Sequence, residues 1–304
     1  MRNLFSAHLA RLWRSGWFWT GAVVMAWFAW RCVSSAHTMA DYGEPVSIWS
    51  DALSFLPPLL VALPVFAAVF LNGDYYYGTI RNKLTAGHRR SAVYLADLGL
   101  IAGVGLVYTG VYQGILLGFG LPLVGTGERF GMPGWGEIAP KLAASLAVIL
   151  AISAMSVFLA RLMVHRTVPL AALGLSLILL FAAQNAGQLL MIPAELPVYD
   201  EIVSITGENG EKTMGYRKDG VDYTLEDCPT EPNPDYMGEP LHMVLAFAQN
   251  FSPGGQAHQL VSDTVSGPVS APALPPGTLA AFALGFTAAA TGLGLVLFQR
   301  KDLK

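Results

Sequence analysis

The chain has 304 residues, of which 53% are hydrophobic and only 13% charged, and its mean hydropathy is +0.47. Soluble globular domains carry about 25% charged residues, so this chain lacks the polar surface that water-soluble domains need, and a disordered chain or a nucleic-acid-binding domain is excluded with them. The net charge of −3 is near neutral, and two cysteines, Cys32 and Cys228, are too few for a disulfide scaffold. This is the composition of an integral membrane protein.

The first sixteen residues read as a helix on the membrane surface. Phe5, Leu9, Leu12 and Trp13 form one stripe, with Arg11 and Arg14 on the opposite face. Such a helix buries its stripe among head groups and pairs its cations with anionic lipid; a basic tail that only sets topology is the plainer alternative. A bilayer-crossing helix needs about 20 mostly apolar residues to cover roughly 30 Å of hydrocarbon. Six stretches qualify: Trp17–Ala36, Ala52–Leu71, Leu98–Leu121, Leu142–Ala160, Val168–Ile192 and Gly277–Phe298. Ser34 and Ala36 fit a signal-peptide cleavage pattern, but the stretch before them is long and rich in tryptophan, so it reads as a retained span. Pro57, Pro58 and Pro64 predict a bent second span, with a short re-entrant segment as the alternative.

Orientation follows from lysine and arginine placement. Segments 1–16, 72–97, 161–167 and 299–304 fall on one side and hold twelve of the eighteen Lys and Arg against three acids, Asp74, Asp97 and Asp302. The other side holds six bases against eighteen acids. The chain is therefore +9 on the side predicted to be cytoplasmic, where both termini lie, and −12 on the other.

The segment after the second span runs Asn72-Gly73-Asp74-Tyr75-Tyr76-Tyr77-Gly78-Thr79-Ile80-Arg81-Asn82-Lys83-Leu84, then Thr85-Ala86-Gly87-His88-Arg89-Arg90. Tyr76, Ile80 and Leu84 share one helical face, and Arg81, Asn82, Lys83 and Thr85 occupy the rest. Gly87 is placed to end this helix at C′, and Ser91 to cap the next. The pattern suits docking into a groove on a cytoplasmic protein and equally a loop lying on lipid; physics alone leaves both open.

The run Gly78–Leu84, with Gly87-His88-Arg89-Arg90 behind it and Asp74 before it, resembles the first cytoplasmic loop of permeases in the bacterial type-two ABC exporter family. Asn233-Pro234-Asp235-Tyr236-Met237-Gly238 and Ser252-Pro253-Gly254-Gly255-Gln256 resemble stretches before the last span in the antibiotic-resistance and bacteriocin-immunity branch. The resemblance implies that Tyr76, Thr79, Ile80, Arg81, Lys83 and Leu84 couple the chain to a separate ABC ATPase subunit. It further implies a second permease copy or a related permease as partner, and a bacterial cell membrane as location.

The loop 193–276 is 84 residues long with thirteen acids against three bases, and a loop of that length carries structure of its own. Glu201–Thr206 and Val221–Leu225 read as strands, with turns at Asn209-Gly210 and Asp219-Gly220; Leu241–Gln249 reads as a short helix. It is either an outer cap or gate, or simply an acidic solvated loop. Within the spans, Gly110, Gly114 and Gly118 form a ladder that lets another helix approach closely, with a substrate path as the alternative. Gln184, Asn185 and Gln188 either line a path or bond across helices. Asp97, near the cytoplasmic end of the third span, is either an ionisable functional candidate at membrane depth, with Arg89, Arg90 and Arg161 as candidate partners, or shallow enough to be simply hydrated.

No phosphate-binding Gly-x-x-x-x-Gly-Lys-Ser/Thr loop, His-Glu-x-x-His or Cys-x-x-Cys motif occurs, so the chain is expected to be no enzyme and to hold no cofactor or metal. The expected fold is an all-α integral membrane protein of six transmembrane helices, with an N-terminal interfacial helix and a large extracellular loop between spans five and six. Residues 1–192 hold the surface helix and spans one to five, 193–276 the outer loop, and 277–304 the sixth span and tail. The expected function is the permease subunit of an ATP-driven exporter of a peptide antibiotic, drug or lipid, with membrane lipid and no nucleic acid as further partner. The alternative is a non-transporting membrane sensor or assembly protein displaying the acidic loop.

Overall fold

A computed structural model describes residues 9–76, 85, 87, 89–127, 134–162, 168–206, 212–224, 228–265 and 274–300. The chain divides into a helical unit, residues 1–187 with 247–304, and a smaller unit, 188–246.

The helical unit begins with helical residues 9–13. Helix α1 (Gly16–Asp41) follows, then a 3₁₀ turn (Ile48–Asp51), α2 (Leu56–Tyr76) and α3 (Arg90–Ile115). A π-helical segment (Leu116–Gly120) and one last turn (Leu121–Leu123) prolong α3. After these come α4 (Trp135–Leu162) and α5 (Val168–Leu190). Two shorter helices, α6 (Glu239–Phe251) and α7 (Pro253–Val265), precede α8 (Pro276–Arg300). Pro57 and Pro58 lie in the first turn of α2, where a missing N–H leaves no bond unmade; Pro64 stays inside the helix. The residue before α3 is Arg89, in extended conformation and without a side-chain cap, so Ser91 lies inside the helix and does not cap it. Gly87 takes φ 84°, the left-handed conformation expected of a helix-ending residue.

Among the described residues five runs are long and apolar enough to cross a membrane: Ile48–Asp74, Arg90–Leu123, Trp135–Leu162, Val168–Leu190 and Pro276–Arg300. Helix α1, at 26 residues, is long enough but is not among them; its tryptophans, Arg31 and polar last turns lower its hydropathy. The apolar stretches of α2 and α4 are each 67% buried, against 22% for α5 and 17% for α8. The first two are therefore the centre of the bundle, and the last two turn most of their surface outward. With hydrocarbon on that surface, an exposed Leu170, Ile178 or Phe181 is in its preferred medium.

The helices alternate in direction. At one end the last turn of α2, the start of α3 and the last turns of α4 and α8 meet around Asp74, Asp97, Arg161 and Arg90. At the other, Tyr112 and Gln113 of α3 donate to the Asp51 and Ala52 carbonyls at 2.9 and 2.6 Å, and Trp49 packs on Trp135 of α4. Helix α1 runs along α3, its Phe18 carbonyl accepting from Tyr108 at 3.0 Å and its Trp30 meeting Phe119. Helix α7 packs on α4, α2 and the 3₁₀ turn, with Ala257 and Leu260 in the core.

The smaller unit holds strands β1 (Glu195–Pro197), β2 (Glu201–Thr206), β3 (Lys212–Lys218), β4 (Val221–Tyr223) and β5 (Thr230–Pro232). They form an antiparallel β1–β5 pair and a β2–β3–β4 meander. Asp219 and Gly220 both have positive φ, 51° and 80°, as a two-residue hairpin matched to strand twist requires. The turn at Asn209-Gly210 lies outside the described residues.

The turn between α6 and α7 depends on Gly255. A Cβ there would overlap the Gln249 backbone carbonyl, whereas one on Gly174 of α5 meets no atom within 4 Å. Gly255→Ala is expected to cost about 1–3 kcal/mol as an overpacked site, while Gly174→Ala leaves stability unchanged or slightly raised. Melting of the detergent-purified variants, followed by intrinsic fluorescence, checks both.

Candidate functional site

The densest chemistry in the helical unit is a set of ions at the basic end. Asp74 lies in the last turn of α2, Asp97 two turns into α3, and Arg161 one residue from the end of α4. All three are at most 1% exposed. The Arg161 guanidinium donates through Nε to Asp97 at 2.8 Å, through Nη2 to Asp97 again and to Asp74 at 3.2 Å, and through Nη1 to the Leu71 carbonyl at 3.4 Å. Its carbon stands 5.8 Å from the Phe298 ring centre of α8. On the outer flank Arg11 donates to Asp74 and to the Phe70 carbonyl, both at 2.7 Å, with its guanidinium 4.4 Å from the Phe70 ring centre.

The pairing follows from electrostatics. Among the described residues, two guanidinium groups and two carboxylates make a neutral set, the condition for keeping ions out of water. Only a planar guanidinium carries enough fixed donors to satisfy two carboxylates and a carbonyl together. Helices α2, α4 and α8 all end here, with the negative ends of their dipoles, and each is met by an arginine: Arg11 at α2, Arg161 on α4 itself, and Arg90 donating to the Gln299 carbonyl of α8 at 2.8 Å. Of the candidate partners for Asp97, the structure selects Arg161. The Arg11–Asp74 pair was not foreseen; the signal was that only three acids stand on the basic side, two of them within reach of span ends.

The residues expected to couple to an ATPase flank this set. Tyr76 is the last residue of α2; Thr79, Ile80, Arg81, Lys83 and Leu84 lie outside the described residues. The segment that carries them joins α2 to α3, entering after Asp74 and leaving before Asp97. Along the ladder, no described atom outside the helix's own backbone lies within 4 Å of a Cβ built on Gly110, Gly114 or Gly118. The close approaches fall elsewhere: Gly21 against the Tyr108 ring, Gly120 against Ile48, and Gly294 against the Tyr94 ring. Asn185 donates back to the Phe181 carbonyl at 2.7 Å, while Gln184 and Gln188 are exposed.

Both motifs before the last span fold as turns. Asn233 donates to the Pro193 carbonyl at 2.9 Å and accepts from the Asp235 N–H at 3.0 Å, and the Tyr236 hydroxyl reaches Glu239 at 3.0 Å. Ser252 accepts from the Gly255 N–H at 3.0 Å, and Gln256 donates to the Asn250 carbonyl at 2.9 Å, closing the α6–α7 junction. In the smaller unit Arg217 of β3 stands between Glu201 and Asp222, its directly opposite residues on β2 and β4, and donates to Asp222 at 2.5 and 3.1 Å. That hydrogen bonding holds the Asp222 carboxyl below its ordinary range. Among the described residues no three His, Cys, Asp or Glu gather as a metal-ligand set.

No protein-family model matches the chain, and no curated protein matches it. What is established is a multi-pass, largely helical membrane protein with a buried ionic cluster at its basic end.

Removing one partner of a buried ion pair leaves an uncompensated charge and costs about 3–5 kcal/mol, whereas replacing the pair by apolar groups is close to neutral. Arg161→Met is thus expected to lower the melting midpoint sharply, and Arg161→Met with Asp97→Leu to recover most of it. For the meander the sign is that of a lowered carboxylate: the Asp222 contribution is present above the ordinary aspartate range and lost as pH falls through its depressed value. Arg217→Gln should return the Asp222 titration midpoint, read by NMR, to the ordinary range.

Proposed function

We propose that the chain is the permease subunit of an ATP-driven ABC exporter in a bacterial cell membrane. In this reading α1 is a sixth span, both termini are cytoplasmic and ATP is hydrolysed by separate subunits. A second permease, identical or related, completes the path, and its cargo is a peptide antibiotic, drug or lipid. The observation that carries the reading is the placement of the ionic cluster. Segment 77–89, which bears the motif resembling a coupling loop, is bounded by Asp74 on α2 and Asp97 on α3, and one guanidinium, on α4, holds both acids. A push on this segment therefore enters the bundle where three helix ends are ionically tied, with Arg11 bringing in the N-terminal segment. ATP drives such a cavity only if it binds one conformation better than the other; closed ATPases pressing on 76–86 supply that difference.

The self-contained strand unit 188–246 favours the second reading, a sensor or assembly protein that displays it. The two separate on one observation: a permease co-purifies with a Walker-motif ATPase, while a sensor purifies alone and keeps its phenotype when that ATPase is deleted. In a reconstituted complex, Arg81→Glu with Lys83→Glu is expected to abolish the ATPase stimulation that this chain provides, with membrane insertion intact. Unchanged stimulation refutes the coupling assignment.

A further inference from the structure

At the end of the bundle opposite the ionic cluster, α1 and the segment leading into α2 line an open-sided cavity of about 720 Å³, within the ~300–1,000 Å³ of small-ligand sites. Its lining is of mixed chemistry. Trp27 and Arg31 sit one turn apart on one face of α1, with Phe28 beside them; Glu44 and Asp51 come from the facing segment. The base is fixed by bonds within the protein. The Asp51 carboxylate accepts from Ser54 at 3.3 Å, and its backbone carbonyl takes the Tyr112 hydroxyl at 2.9 Å. The site is thus built before any ligand arrives.

One guanidinium and two carboxylates in a single aromatic-walled cavity select the charge pattern of an occupant. A purely anionic head group meets Glu44 and Asp51, and a purely cationic one meets Arg31. A head group carrying both a phosphate and a primary ammonium satisfies all three, the phosphate by paired donors from arginine and the ammonium by the carboxylates and the indole face. Val23 and Val24, exposed on the next turn of α1, continue the apolar wall away from the cavity, which gives an acyl chain a path that a soluble head group does not need. We propose that this cavity binds a membrane lipid with a phosphoethanolamine head group: phosphate on Arg31, ammonium on Asp51 and Glu44, and acyl chain along Trp27 and Phe28. The site depends on the chain lying in a bilayer and is independent of whether it transports.

The test is native mass spectrometry of the full-length chain in detergent, with dioleoyl phosphatidylethanolamine or dioleoyl phosphatidylglycerol added at equal concentration. The ethanolamine lipid is expected to be retained and the glycerol lipid not. Arg31→Gln and Asp51→Asn should each cut retention about tenfold, the scale of a lost charged hydrogen bond, while Arg31→Lys keeps a measurable part. Equal retention of the two lipids, wild-type retention by both neutralised variants, or equal binding of dodecylamine overturns the proposal. Free O-phosphoethanolamine displacing the lipid at equal concentration overturns the lipid as source, since the apolar wall would then contribute nothing. Should a variant fail to fold, a head-group photoreactive ethanolamine lipid on the wild-type chain decides: cross-links within residues 27–51 support the site, and their absence there removes it.

Discussion

Everything at the basic end turns on the cost of holding ions away from water. Arg161, Asp74 and Asp97 are buried, and none could stay ionised there alone. Arg161 resolves this by bonding to both acids and to a carbonyl of α2, so the position of α4 relative to α2 and α3 is set by electrostatics as well as by packing. Any rearrangement of these helix ends must keep every charge partnered. A gradual slide would leave a carboxylate unmet partway, so the cluster favours discrete arrangements over a continuum. Such two-state elements are what convert a small local push into a change of global state.

Elsewhere the helices are held by fit. Lipid tails are as apolar as leucine, so helices gain little from being apolar toward each other and gain instead from close approach and polar bonds. Tyr108 illustrates both, its ring against Gly21 and its hydroxyl on the Phe18 carbonyl at 3.0 Å. Tyr94 lies against Gly294 in the same way and brings α8 onto α3. Each glycine works because a large flat side chain faces it. The Gly110–Gly114–Gly118 face has no such partner among the described residues; a small-residue ladder gives permission to approach and leaves the approach itself to whatever lies opposite.

Hydropathy locates spans because an apolar helix in lipid needs only length, and the five runs that meet that standard all fall on expected stretches. The Trp-rich first stretch forms its helix but sits at the margin of the same measure, since indole is amphipathic. The ionic cluster was half legible: Asp97 stood out as an acid with Arg161 among its candidate partners, but Arg11 and Asp74 are far apart in sequence and nothing local pairs them with each other or with Arg161. Strands β1 and β5 were not legible, being three residues each and joined across 32 positions. Ser91 misled because a helix N-terminus preceded by Gly87 starts wherever the turn releases the chain, and here that is Arg90. The motif Ser252–Gln256 was read for its resemblance; its local meaning is a cap, a close approach at Gly255 and a side chain turned back on α6.

The two ends of the bundle are held by different chemistry, and this bears on which of them yields. The basic end is tied by charges whose separation strands an ion. At the opposite end Tyr112, Gln113 and Ser47 donate to backbone carbonyls of Asp51, Ala52 and Thr126, neutral bonds that exchange for water or lipid head groups at a net cost of about 1 kcal/mol each, and the ion pair there, Lys141 of α4 with Asp263 of α7 at 2.7 Å, is part-exposed. The π-helical segment Leu116–Gly120 lies at that same end, and its wider hydrogen-bonded turns are a place where a helix changes register at low cost. Gly120 within it rests against Ile48 of the 3₁₀ turn. The far end is therefore the one where a contact is lost without stranding a fully buried charge, and a rearrangement of the basic end must instead exchange its buried partners together.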